Sequence, residues 1–99
     1  MSRKQLAPIH PGEILREDLM RPLGITVSAL ARDIGVPANR ISQIVNGKRA
    51  FSADTALRLG KYFGMSPEIW LDLQSDYELR LARRTTWKAV EPRIRTRVA

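Results

Sequence analysis

The 99-residue sequence contains no cysteine, and it contains a single histidine, His10. The lack of cysteine excludes disulfide bonds and thiolate metal sites, and one histidine does not make a zinc site. A chain without cysteine is typical of a reducing compartment, so we expect a cytoplasmic protein. We expect it to hold no metal ion and no cofactor.

Long apolar runs and alternating patterns are also missing. No run of about 18 apolar residues occurs, which predicts no membrane span, and residues 1–12 lack the apolar stretch of a secretion signal. No segment alternates strictly between apolar and polar residues, so no β-strand is predicted. The sequence has no glycine-rich phosphate loop and no recognisable catalytic pair of an acid and a base. We therefore expect an all-α protein that is not an enzyme.

Basic residues outnumber acidic residues by 17 to 10, which gives a net charge of +7. This balance favours nucleic acid or another anionic surface as a partner, because bound phosphates release counterions. The charge is uneven: residues 65–78 carry four acidic and no basic side chains, whereas residues 79–99 carry seven basic and one acidic. A small protein can also be basic without a specific role, so the charge alone does not decide the function.

Glycines mark the ends of the predicted helices, because a helix is commonly followed by a residue with positive φ. Four glycines each follow an apolar periodic segment: Gly24, Gly35, Gly47 and Gly64. We predict five helices, over about residues 11–21, 27–34, 38–46, 53–63 and 67–84. Pro22 is expected to end the first helix, and Ser66 with Pro67 to open the fifth.

These helices suggest three parts of the chain. Residues 1–9 are predicted to form a flexible basic arm. Residues 10–84 are predicted to form one helical domain. Residues 85–99 form a basic tail, which is solvated unless it contacts DNA or a protein partner.

The second and third predicted helices have the pattern of a helix-turn-helix at about residues 27–46. Ala31 is the small residue that two steeply crossing helices need at their contact, and Gly35 permits the sharp turn between them. Apolar side chains occupy the positions that must face inward: Leu30, Ile34, Val36, Ile41 and Ile44. The second helix of such a motif enters the major groove of DNA. The sequence therefore predicts a DNA-binding domain.

The third predicted helix carries many amides on its outward face. The outward residues are Ala38, Asn39, Ser42, Gln43 and Asn46, with Arg40 at the edge. Asparagine and glutamine match the donor–acceptor pair of adenine, an alanine methyl can pack on thymine, and arginine can bind guanine or a phosphate. The predicted base-reading residues are Ala38, Asn39, Arg40 and Gln43. The alternative is an ordinary polar helix surface.

Phosphate contacts are expected on both sides of this reading helix. The N-terminus of the preceding helix offers free amides and hydroxyl groups, and the loop after the reading helix offers cations. The predicted phosphate-binding residues are Thr26, Ser28, Ser42, Asn46, Lys48 and Arg49. Arg3 and Lys4 of the arm are expected to add a non-specific contact.

The fifth predicted helix has a broad apolar stripe. Ile69, Leu73, Tyr77 and Leu81 recur every four residues, and Trp70 widens the stripe. Such a stripe packs in the core of one chain, contacts a second copy, or does both. The candidate dimer contacts are Trp70, Leu73, Tyr77 and Leu81.

Three segments resemble the HigA antitoxins of the Xre, or lambda-repressor-like, helix-turn-helix family, which are related to VapI-type proteins. They are HPGEILREDLMRPLGIT, VPANRISQIVNGKRAFSADTALRL and FGMSPEIWLDLQSDYEL. The resemblance extends from about Ile9 to Leu81 and leaves out the tail. It implies a five-helix domain and a homodimer that represses its own operon at a palindromic operator. It also implies binding and neutralisation of a RelE-like, mRNA-cleaving toxin.

The resemblance also assigns roles by position. It implies base reading by Ala38, Asn39 and Gln43 and phosphate contacts by Ser28, Asn46 and Arg49. Alanine at position 38 departs from several related repressors, which have glutamine there, so the other reading residues must supply more of the discrimination. Two other functions stay open: a stand-alone regulator of this family without a toxin, and a helical protein-binding module that does not read DNA.

Overall fold

The structure, a computed structural model, describes residues 7–98. Within this range the chain forms six helices and no strand, so the predicted all-α fold is confirmed. Helix α1 consists of three consecutive pieces, Pro11–Ile14, Leu15–Met20 and Arg21–Leu23. The others are α2 (Val27–Ile34), α3 (Ala38–Val45), α4 (Ala53–Phe63), α5 (Glu68–Arg84) and α6 (Trp87–Val90). Arg3 and Lys4 of the predicted arm lie outside the described residues.

Helix α1 continues further than its proline suggested. The prediction that Pro22 ends it by about Arg21 is wrong, because the helix reaches Leu23 and ends at Gly24, whose φ is 64°. Residues Leu15–Met20 form a π-helical turn, in which the Arg21 amide donates to the Arg16 carbonyl. Because this wider turn does not use the usual i−4 acceptor, the missing amide and the ring of the proline fit without breaking the helix.

The ends of the later helices follow their sequence signals with one exception. Ser52 caps α4, since its hydroxyl accepts from the Thr55 amide at 3.3 Å. At α5 the hydroxyl of Ser66 donates to the Glu68 carboxylate at 2.6 Å instead of capping the backbone, and Pro67 is the capping residue. The tail contains the short helix α6 and a 3₁₀ turn over Glu91–Arg93, so it is partly ordered in helical form.

The core lies between α1, the α2–α3 pair, α4 and the first half of α5. Its most deeply buried apolar side chains are Leu15, Leu30, Ile41, Ile44, Leu59 and Trp70. The Trp70 ring stacks on Phe51, with ring centroids 4.9 Å apart and planes 17° from parallel. Trp70 is 1% exposed, which corrects its place among the candidate dimer contacts: its side chain fills the core and offers no surface to a second chain.

Two glycines let the backbone of neighbouring elements come very close. A methyl group at Gly12 would overlap the carbonyl of Ile44, near the end of α3. A methyl group at Gly60 would lie 2.8 Å from the Met65 carbonyl, in the turn that leads to α5. The first contact fixes α3 on the start of α1, and the second holds α4 against the beginning of α5.

None of the helices between residues 7 and 98 has both the length and the apolar character that a bilayer span requires.

Candidate nucleic-acid interface

The turn between α2 and α3 has the geometry that the glycine predicted. Helix α2 begins at Thr26, whose hydroxyl accepts from the Ala29 amide at 3.1 Å. It ends at Gly35, whose φ is 74°, and the Val36 amide donates to the Ala31 carbonyl at 3.0 Å. This Schellman arrangement satisfies a terminal carbonyl and reverses the chain within a few residues. The predicted helix-turn-helix is therefore present.

Helix α3 turns its apolar residues into the core and its amides outward. Ile41 and Ile44 are fully buried and Val45 nearly so. Ala38 and Asn39 are exposed at the first turn, and Ser42 and Gln43 are half-buried one turn later. Asn39 and Gln43 are four residues apart and share a helix face, so the two amides project in a similar direction. The helix presents a small patch of hydrogen-bonding groups at its N-terminal half.

The two segments that flank α3 carry the predicted phosphate-binding residues at the surface. Thr26 and Ser28 are exposed at the start of α2. The Thr26 hydroxyl accepts from the Ala29 amide, so its own proton is available to donate to an anion. Asn46, Lys48 and Arg49 are exposed after α3. Their loop starts with a second Schellman turn, in which the Lys48 amide donates to the Gln43 carbonyl at 2.8 Å. Exposed donors thus lie on both sides of the amide patch.

Arg40 has a more constrained position than the sequence indicated. Its Nη1 atom lies 3.1 Å from Oδ2 of Asp54, and the same oxygen accepts from Nε of Arg58 at 2.9 Å. Arg58 also donates to the carbonyls of Ile34 and Gly35, at 2.7 and 3.2 Å. This ion triad, Arg40–Asp54–Arg58, links α3 and α4 to the end of α2. Arg40 is therefore bound to the protein surface and is not a freely projecting cation.

Asp54 and Arg58 are not among the residues predicted for this surface. Their spacing of four residues along one helix is a signal that could have indicated their mutual ion pair. No sequence pattern places Asp54 beside Arg40, because these residues lie 14 positions apart on different helices.

Two further side chains support α3 from behind and were also missed. Gln74 of α5 is 7% exposed, and its Oε1 accepts from the Phe51 amide at 3.0 Å in the loop after α3. Its Nε2 donates to Glu78 at 2.8 Å. Arg16 of α1 donates to the Val45 carbonyl at the end of α3, at 3.3 Å. These bonds hold the C-terminal end of α3 and the loop that follows it.

The single histidine has a structural role. Nδ1 of His10 accepts from the Gly12 amide at 2.9 Å and so caps α1, and its ring packs edge-on against Tyr77 with centroids 4.9 Å apart. Burial lowers the pKa of His10, and the Glu78 carboxylate opposes that shift. Within residues 7–98, no three histidine or acidic side chains come together as a metal site.

Known proteins share both this sequence pattern and this fold. The family model HTH_3, described as helix-turn-helix, matches residues 15–70. The chain belongs to this family. Virulence-associated protein I of Dichelobacter nodosus is 45% identical over 80 residues, which cover 81% of this chain and 74% of that protein.

Two solved structures extend the similarity to proteins bound to DNA. The Pseudomonas aeruginosa antitoxin HigA, solved with the higBA promoter, is 43% identical with a TM-score of 0.87 and covers 92% of this chain and 99% of its own. The antitoxin GraA in complex with its operator is 36% identical with a TM-score of 0.89, and both chains are covered fully. The predicted similarity to HigA antitoxins and VapI-type proteins is confirmed.

Proposed function

We propose that this protein is the antitoxin of a toxin–antitoxin pair and represses its own operon by binding a palindromic operator with α3. One observation carries the proposal: the amide patch of α3 is exposed between two segments that offer phosphate-binding groups. A reading helix needs this arrangement, since phosphate contacts set its position and base contacts give specificity. The promoter and operator complexes of HigA and GraA support it.

The side chains of α3 would divide base recognition among them. Asn39 and Gln43 can each form two hydrogen bonds to adenine, and the Ala38 methyl can pack on a thymine methyl. Arg40 can bind guanine once its guanidinium leaves Asp54. The sequence preference of the protein would therefore depend mainly on the two amide side chains.

Phosphate binding would position this helix in the groove. The start of α2 supplies the hydroxyl groups of Thr26 and Ser28 and the positive end of the helix dipole. The loop after α3 supplies Asn46, Lys48 and Arg49, and Ser42 adds a hydroxyl from α3 itself. These contacts bind any DNA sequence and weaken as salt rises.

Two substitutions distinguish base recognition from phosphate binding. Gln43→Ala should weaken operator binding by about 1–3 kcal/mol and leave binding to scrambled DNA nearly unchanged. Lys48→Ala should weaken both and lower the slope of log K against log salt by about 0.9. Fluorescence anisotropy over a salt series measures both effects. Equal losses on every DNA for both variants would contradict the assigned roles.

We further propose that α5 carries the homodimer contact. Leu73 and Tyr77 are half-buried along its inner face, and Leu81 on the same face is 40% exposed where the body of the domain no longer covers it. A second copy would cover this surface and place a second α3 about 34 Å away, one turn of DNA from the first. Such a pair reads a palindrome.

The proposed toxin is a RelE-like, mRNA-cleaving protein encoded beside this chain. The similarity to proteins named as HigA antitoxins supports this partner. Co-expression of this protein with the product of the adjacent gene, followed by purification of one tagged chain, tests it. A complex of both chains supports the antitoxin role. Specific operator binding without a complex would instead support a stand-alone regulator, and a complex without operator binding would support a protein-binding module.

A further inference from the structure

Asp54 is placed to control whether Arg40 can reach DNA. Its Oδ2 accepts from both Arg40 and Arg58, at 3.1 and 2.9 Å. The Arg40 side chain is 30% exposed in this position. Arg40 is the third residue of α3, so its guanidinium lies beside the turn of the helix that would approach the base edges.

An arginine at this position has two kinds of DNA partner. It can bind any phosphate as a cation, or it can form two hydrogen bonds to a guanine. The first contact is available on every sequence, whereas the second is available only where guanine lies opposite. Without a restraint, the phosphate contact would strengthen binding to all DNA. It would therefore lower the sequence discrimination that the amide side chains provide.

The carboxylate of Asp54 competes with DNA for this guanidinium. A single phosphate contact must replace the ion pair, so it brings little net gain, whereas a bidentate guanine contact replaces the ion pair with two directed bonds. Asp54 lies in the first turn of α4, where the helix dipole stabilises its negative charge. Arg58 shares the same oxygen but is also held by two backbone carbonyls, and it stays in place when Arg40 moves.

We propose that Asp54 is a specificity-determining residue, which holds Arg40 away from DNA unless the sequence offers a guanine contact. This inference rests on the proposed DNA-binding function. Asp54 thereby raises the ratio of operator affinity to non-specific affinity, although it touches no base itself. Its role is to position Arg40.

The decisive variant is Asp54→Asn, which keeps the shape of the side chain and removes its charge. Binding to scrambled DNA should tighten by up to about five-fold, the equivalent of a surface ion pair. The slope of log K against log salt on that DNA should rise by about 0.9, because one more cation reaches phosphate. Operator binding should change less, so the specificity ratio should fall.

A double-variant cycle separates this effect from a simple change of charge. In the Arg40→Gln background, Asp54→Asn should leave the affinity for scrambled DNA and the salt slope unchanged, because Arg58, the other partner of Asp54, stays bound to the carbonyls of Ile34 and Gly35. Asp72→Asn, at an exposed position of α5, makes the same change of net charge and should not alter the specificity ratio. An equal gain from Asp54→Asn in both Arg40 backgrounds would overturn the proposal.

Folding of each variant is checked by thermal unfolding before DNA is added. If Asp54→Asn fails to fold, Asp54→Ser provides the same test, since serine suits the start of a helix and does not reach Arg40. Wild-type protein that binds operator no better than scrambled DNA would refute the proposed function itself. Wild-type protein that discriminates, with an Asp54→Asn variant that discriminates equally well, would refute only the role of Asp54.

Discussion

At the scale of single residues, Gly12 shows how closely α3 packs on α1. Its missing side chain leaves room for the carbonyl of Ile44, the second-to-last residue of α3. Since the obstructing atom belongs to the backbone, no side-chain rotation can relieve an added methyl group. The position of α3 therefore depends on a residue that lies far from it in sequence.

We expect Gly12→Ala to lower the free energy of unfolding by about 3 kcal/mol or more, because α1 and α3 must separate to admit the methyl. Urea denaturation measures this loss. Gly24→Ala is the matched control: Gly24 has a φ of 64° but no atom within 4 Å of an added methyl. It should cost only about 1–2 kcal/mol, from backbone strain alone. Equal losses for the two variants would argue against the close contact.

His10 gives a second prediction at this scale, for the dependence of stability on pH. Burial lowers its pKa in the folded state below the ordinary value of 6.5, so the unfolded chain binds the proton more readily. The contribution of His10 is complete above pH 6.5 and is lost as the pH falls from there through the lower, folded-state pKa. Protonation also removes the acceptor for the Gly12 amide.

Unfolding midpoints of the wild type and His10→Asn, measured from about pH 7.5 to 5.5, test this prediction. Asparagine can cap the helix but does not titrate, so the variant should lose less stability on acidification than the wild type. Parallel curves for the two proteins would show that His10 is not responsible for the acid sensitivity.

At the scale of elements, the loop between α3 and α4 is held by a side chain from α5. Gln74 supplies the acceptor for the buried Phe51 amide, and Phe51 in turn stacks on Trp70. The same loop also contains Lys48 and Arg49. The loop with the proposed phosphate-binding residues is therefore held by α5, which also carries the proposed dimer contact.

Gln74→Leu should lower the free energy of unfolding by about 1–3 kcal/mol, because the Phe51 amide stays buried without an acceptor. For a domain of this size, thermal unfolding should shift down by roughly 4–8 °C per kcal/mol. Glu78→Gln is the control, since it removes the charge of the second partner of Gln74 and leaves the Phe51 bond intact. A larger loss in the control than in Gln74→Leu would contradict this role.

The elements also show what a sequence can predict. The limits of α2 and α3 follow from Thr26, Gly35 and Gly47, because capping and positive φ are local properties of the chain. The buried face of α5 does not follow from its sequence pattern alone. The four-residue repeat that starts at Ile69 suggested one face, but the structure buries Trp70 and Gln74 and leaves Ile69 41% exposed. Apolar residues lie on several sides of this helix, so its rotation is decided by its neighbours.

The candidate site is predictable from the sequence only where it depends on a local pattern. The surface residues of α3 follow from the helical period once its inward face is known. The Arg40–Asp54 ion pair, the Phe51–Gln74 bond and the Arg58–Ile34 bond join residues 14, 23 and 24 positions apart, and such pairings form only when the helices have packed. Charge and polarity in the sequence do not reveal these partners.

At the scale of the whole molecule, the described chain is more extended than a compact domain of its length. Its radius of gyration is 16.5 Å, against about 13 Å for 100 residues in a single compact domain. Helix α5 continues beyond the core, and Leu81, Trp87 and Val90 are each about two-fifths exposed along that end of the chain. A second copy would give this part of the molecule the contacts that one domain does not supply.

Leu81→Asp should therefore shift the protein from dimer to monomer in sedimentation velocity and weaken binding to the full palindrome by ten-fold or more, about 1.4 kcal/mol. Binding to an isolated half-site should be unaffected. The matched control is Leu57→Asp on α4, whose leucine is 62% exposed and lies outside the proposed contact. A dimer that persists in Leu81→Asp but dissociates in Leu57→Asp would place the interface elsewhere.

The exposed amides of α3 have a consequence for how such proteins diversify. Asn39 is exposed and Gln43 half-buried, while the stability of the helix comes from Ile41, Ile44 and the closed turns at both ends. Under the proposed assignment, exchange of the two amides would alter which operator is bound at little risk to folding. Paralogues in one genome would in this way acquire separate operators through one or two codon changes, and each protein would then repress its own operon alone.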